Sequence, residues 1–77
     1  HTGNESALDH DFDEDKALQK LAIALEGLPE KQRIVFNMRY YDEMSYQDMS
    51  QILDTSVGAL KASYHHAVKK IEAVLLA

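Results

Sequence analysis

The sequence predicts an all-α fold, a small four-helix domain, and three observations carry that prediction. Apolar residues recur at three- and four-residue steps over four separate stretches, the spacing that lines one face of a helix. Between those stretches stand residues that start or stop helices: Gly27, Pro29, Ser45 and Ser56. Finally, 77 residues without a cysteine can bury only one small core and cannot staple it with disulfides, so compact helical packing must do the stabilising.

Residues 1–12 are polar and acidic without periodicity, which reads as a flexible linker or appended tail ahead of a domain spanning 13–77. The chain opens on His1 rather than Met, as expected of a piece excised from a longer protein with domains upstream. From Asp13 the pattern turns helical, with Leu18, Leu21, Ala22 and Leu25 as its apolar stripe. The acids Asp13, Glu14 and Asp15 sit where the helix dipole favours negative charge, and Gly27 can close the far end. Pro29 suits the first position of a second helix, whose inward residues are Ile34, Val35, Met38 and Tyr41 up to a turn at Asp42-Glu43.

Ser45 is the next start signal, able to accept a hydrogen bond from the amide of Asp48, with Met44 and Met49 in the two staple positions. The short helix that follows turns Met49, Ile52 and Leu53 inward and stops at Asp54-Thr55-Ser56, whose last member can cap another helix. That last helix is long, roughly 30 Å at about 1.5 Å per residue. Its buried stripe is Val57, Leu60, Tyr64, Ala67, Val68, Ile71 and Leu75.

The net charge of −5 argues, taken alone, against nucleic acid, because Lys and Arg supply most non-specific affinity for phosphates. Its distribution along the chain points the other way. Residues 1–27 carry seven acids against Lys16 and Lys20 and account for the whole −5, leaving 28–77 neutral. Within the neutral part, residues 57–77 hold Lys61, Lys69, Lys70, His65 and His66 against the single acid Glu72. No apolar run approaches the roughly 20 residues of a membrane span, and no signal peptide is recognisable, so the chain reads as soluble and compatible with the cytoplasm.

A short helix over 45–53, a tight turn and a longer helix over 57–76 form the arrangement in which one helix braces across the DNA backbone and the next enters the major groove. Lys61, His65 and either His66 or Lys69 follow at helical spacing on the side opposite Leu60, Tyr64 and Val68, presenting donors that suit base edges or phosphates. By pattern alone this is equally a small helical bundle with a solvated basic face. Tyr64 either stacks on DNA or packs its ring into the core, and its register favours the core. His65 and His66 are adjacent, hence about 100° apart on the helix, and cannot ligate one ion together; no metal or other cofactor is expected. Arg33 and Arg39 either pair with Glu30, Asp42 or Glu43 or touch phosphate. No nucleophile beside a base, no Gly-rich phosphate loop and no metal-ligand spacing is present, which excludes an enzyme.

The stretch from Leu28 to Leu75 resembles region 4 of bacterial sigma factors of the sigma-70 family, especially the extracytoplasmic-function (ECF) type. The resemblance is carried in register by Leu28-Pro29, Gln32-Arg33, Val35, Arg39, Met44-Ser45-Tyr46, Ile52-Leu53, Ser56-Val57-Gly58, Lys61, His65, Ala67 and Lys69-Lys70. It implies a helix-turn-helix domain of the winged-helix-like DNA-binding class that reads the minus-35 promoter element in the major groove. It also implies docking on core RNA polymerase near its beta flap, and an anti-sigma factor as a further partner. The candidate DNA-binding residues are then Ser56, Gly58, Ala59, Lys61, Ala62, Ser63, His65, His66 and Lys69. The family commonly has Thr at Ala59 and Arg at Ser63 and His66, so two guanidinium forks are missing and phosphate contact should be weaker. The competing readings are a response-regulator-type helix-turn-helix output domain and a module that chiefly holds an anti-sigma factor or the polymerase.

Overall fold

The computed structural model describes residues 14–77; the acidic segment 1–12, and Asp13 as the expected first residue of the domain, lie outside the described residues. Among the described residues four α-helices follow in order: α1 (Glu14–Glu26), α2 (Glu30–Phe36), α3 (Tyr46–Leu53) and α4 (Val57–Leu75). No strand occurs among the described residues, and the fold is all-α as predicted.

One element was not anticipated. The second helix does not run uniformly to Tyr41; after Phe36 it widens into a π-helical turn, Asn37–Tyr41, in which the Asp42 amide donates to the Asn37 carbonyl at 3.1 Å. The Met44 amide reaches back still further, to the carbonyl of Met38 at 3.0 Å. Such wide turns shift the side-chain register, so Met38 and Arg39 stay half-buried while Tyr40 and Tyr41 are thrown outward. Tyr41, expected inside, is therefore more than half exposed.

The helix ends obey local chemistry with two adjustments. Pro29 sits one residue earlier than expected, capping α2 rather than opening it, with φ −54° and a carbonyl that accepts the Arg33 amide at 3.0 Å. Gly27 follows α1 directly, its amide donating to the Ile23 and Ala24 carbonyls at 3.1 and 3.2 Å, but it does not use the left-handed conformation that only glycine adopts freely. The left-handed positions are instead Glu43 (φ 54°) and Asp54 (φ 52°), the latter closing α3.

The core is two clusters joined along α4. One gathers Ala24, Leu28, Phe36, Ala67 and Ile71; the other gathers Val35, Met49 and Leu60. Val35 and Phe36 are consecutive and thus roughly 100° apart on α2, which lets this short helix feed both clusters at once. Ile34 then turns outward, contrary to expectation. In α1 the inward stripe is Ala24, buried, with Leu21 and Leu25 half-buried, and Leu28 just beyond the helix continues it, so the predicted Leu18 (57% exposed) and Ala22 fall outside it. In α3, Met49 is fully buried and Leu53 packs on the second cluster, whereas Ile52, expected inside, is 63% exposed. An eight-residue helix has room for one narrow inward stripe, and Met49 and Leu53, four residues apart, occupy it. At the end of α4, Leu75, expected inside, is exposed.

Candidate nucleic-acid interface

The pair α3–α4 is built by two serine caps. Ser45 Oγ accepts from the Asp48 amide at 3.0 Å, and Ser56 Oγ accepts from the Ala59 amide at 3.1 Å. Each satisfies one of the amides that a helix start leaves without a partner. Between them the turn is tightened by Thr55, whose hydroxyl donates to the Leu53 carbonyl at 3.0 Å and whose amide donates to the Ser50 carbonyl at 3.3 Å. Met44 packs against the same cluster as Met49, as expected of a staple across the Ser45 cap.

Met49 and Leu60, both fully buried, lock α3 onto α4 and fix which face of α4 remains outside. That outer face carries Gly58, Ala59, Lys61, Ala62, His65, His66 and Lys69, all exposed, with Ser56 exposed at the cap. Ser63 is the exception: it is half-buried, at the border of the face. A β-carbon added at Gly58 would meet nothing within 4 Å, so the first turn of α4 is open to close approach. The His65 and His66 rings diverge, 6.1 Å apart and tilted by 55°. No group of three or more metal-ligating side chains occurs among the described residues. Lys69 lies 4.0 Å from Glu72 in an exposed pair of the kind that contributes little.

Tyr64 belongs to the core: its ring stacks on Phe36 and packs against both clusters. Burial raises the pKa of its phenol above the usual tyrosine value, the neighbouring Tyr46 and Tyr40 adding to the effect and Arg39 opposing it.

The geometry is that of a braced helix with a free, donor-bearing face. The family model described as Sigma-70, region 4, matches residues 18–71, running from α1 through the last buried residue of α4. The chain belongs to the sigma-70 region 4 family. Region 4 is the DNA-binding helix-turn-helix region of sigma factors, a class that acts in transcription, and the response-regulator alternative is set aside. No curated protein and no solved structure matches the chain. No helix among the described residues is long and apolar enough to cross a membrane.

The region 4 domain also joins residues that no helical periodicity connects. Arg39, for which pairing with an acid and contact with phosphate were both open, donates from Nη1 to the Met44 carbonyl at 2.7 Å. Its guanidinium lies 4.7 Å from the centroid of the Tyr46 ring. The Lys61 ammonium lies 5.8 Å from the same centroid. The approach of α4 to the start of α3 is a tertiary contact; the only signal in the sequence is that an arginine and a tyrosine flank the turn before Ser45.

Proposed function

We propose that this region 4 domain binds the minus-35 promoter element sequence-specifically with α4 in the major groove, within an ECF-type sigma factor that directs RNA polymerase to initiate transcription in the cytoplasm. The observation that carries the proposal is the outer face of α4 in a family-matched helix-turn-helix: Lys61, His65 and His66 are exposed together on the side opposite Leu60, with α3 locked behind them. The two ends of the contact are Ser56 and Gly58 at the start of α4 and Lys69 two turns beyond Ala62. Lysine supplies a compact charge for phosphates, whereas the imidazoles supply directional donors for base edges. Phosphate contacts would set the register and base contacts the preference.

Exposed apolar side chains favour protein partners of the same sigma factor as well. On α1 Ile23 is 64% exposed and Leu18 more than half exposed, and on the π turn Tyr40 and Tyr41 are each more than half exposed. Exposed apolar side chains of this size suit the polymerase flap or an anti-sigma factor.

The experiment that tests the DNA reading is an NMR titration of the labelled domain with duplexes carrying candidate minus-35 elements at two salt concentrations. Shifts concentrated at residues 56–70 that fade with salt are the expected result. Stationary amides there, with shifts on α1 alone when polymerase flap is added, would transfer the function to protein contact.

A further inference from the structure

We propose that Tyr46 is a positioning residue for DNA binding, holding the Lys61 ammonium at the edge where the start of α3 meets the outer face of α4, so that Lys61 serves a backbone phosphate rather than a base. The inference rests on the DNA-binding reading of α4 and adds to it the role of a residue outside the groove-facing helix.

Two cations share the Tyr46 ring. Arg39 is the fixed one, since its guanidinium is tied to the Met44 carbonyl at 2.7 Å while it lies 4.7 Å from the ring centroid. Lys61 is the looser one, 5.8 Å from the centroid and within the reach of a cation–π contact. The ring itself is anchored, half-buried against the cluster of Val35, Met49 and Leu60. A lysine on an exposed helix face otherwise samples many rotamers, and ordering it on binding opposes affinity. An aromatic face removes part of that freedom beforehand and leaves the three ammonium hydrogens available, because a cation–π contact uses charge and consumes no acceptor. The place where Lys61 is held matters as much as the holding. Tyr46 opens the bracing helix, which in a helix-turn-helix crosses the DNA backbone, so a cation parked on its ring stands at the phosphates and away from the groove floor.

Three measurements on the whole 77-residue chain test this. First, in the absence of DNA, the Lys61 side-chain methylene protons should show a ring-current shift that Tyr46→Leu abolishes and Tyr46→Phe retains. Secondly, Tyr46→Leu, which keeps apolar bulk for the cluster, should weaken binding to a promoter duplex and to an unrelated duplex by the same factor, about two- to five-fold, the range an exposed cation–π contact supports; Tyr46→Phe should restore wild-type affinity. Thirdly, in a Lys61→Met background Tyr46→Leu should have no further effect. The proposal is overturned by an absent ring-current shift, by an equal loss in the Lys61→Met background, or by a loss confined to the promoter duplex. A wild-type domain that keeps the ring-current shift yet ignores both duplexes overturns the DNA-binding reading itself, and the positioning role with it, because the shift is read without DNA.

Discussion

The ring of Tyr64 lies on the ring of Phe36, centroids 5.7 Å apart and planes 16° from parallel, and this contact joins the two halves of the core. Tyr40 adds a third near-parallel ring, 5.1 Å from Phe36. Through this stack α4 is registered against α2 and the π turn as well as against α3, which makes the face it presents a property of the whole fold.

Tyr64→Ala should therefore destabilise the domain by about 3 kcal/mol, the lower part of the range for removing a large aromatic from a core, because the residue is half-buried. Tyr64→Phe keeps the ring and should leave both stability at neutral pH and DNA affinity nearly unchanged. The raised phenol pKa adds a pH signature. With the folded-state value above the unfolded one, the folded form retains the proton longer, so stability is intact below about pH 10 and falls as the pH climbs through the folded-state value. Urea melts of wild type and Tyr64→Phe between about pH 9 and 11, bracketing the ordinary tyrosine value, check this: the two curves should diverge only at the alkaline end. A DNA-binding defect in well-folded Tyr64→Phe would return Tyr64 to the interface.

At Gly58 stability and binding should move in opposite directions. Its φ is negative and a β-carbon there meets open space, so Gly58→Ala should raise stability by roughly 0.5–1 kcal/mol through lost freedom of the unfolded chain. If the DNA backbone approaches this turn, the added methyl group keeps it away and binding weakens. Parallel thermal melts and anisotropy titrations decide it; a variant both more stable and equally tight in binding would remove Gly58 from the contact surface.

Much of this structure was legible because it is local. The Ser45 and Ser56 caps each span three residues, and both stand as predicted; Met49, Leu60 and Ala67 were placed inside by spacing alone. What escaped was set by contacts between distant residues. Ile52 and Leu53 are neighbours of similar hydrophobicity, and only the position of α4 and the second cluster decides that Leu53 packs while Ile52 is exposed. Similarly, nothing in the run Asn37–Tyr41 announces a π turn, whose wider register follows from seating Phe36 among Ala24, Ala67 and Ile71 while Arg39 reaches Met44. The exposed face of α4 could be read from periodicity, but the Arg39–Tyr46–Lys61 edge could not, since it forms only when α4 packs across the start of α3.

His66→Arg should tighten DNA binding. The side chain is exposed on the outer face of α4, and a guanidinium there adds a fixed charge and a planar fork of donors that an imidazole lacks. The plot of log affinity against log salt should steepen by about 0.9, the increment for one added phosphate contact on duplex DNA. Anisotropy titrations over several salt concentrations measure the slope. A tightening limited to one duplex sequence, with no change of slope, would assign position 66 to a base edge instead.

Leu60 and Lys61 are consecutive in α4 and should respond to the same substitution in opposite ways. Leu60 is fully buried between Val35 and Met49, so Leu60→Ala removes core volume that so small a domain cannot refill and should cost about 3 kcal/mol. The fraction of a 77-residue fold's margin this consumes is large, and much of the population should unfold on modest warming. Lys61 is exposed, so Lys61→Ala should leave the melting curve within about 0.5 kcal/mol of wild type. Its binding to every duplex should fall together, and the salt slope should drop by about 1 as one phosphate contact is lost. Calorimetric melts and salt-dependent titrations on the two variants separate the roles. A Lys61→Ala protein that melts early but binds normally once folded by added osmolyte would show that Lys61 serves the fold and not the DNA.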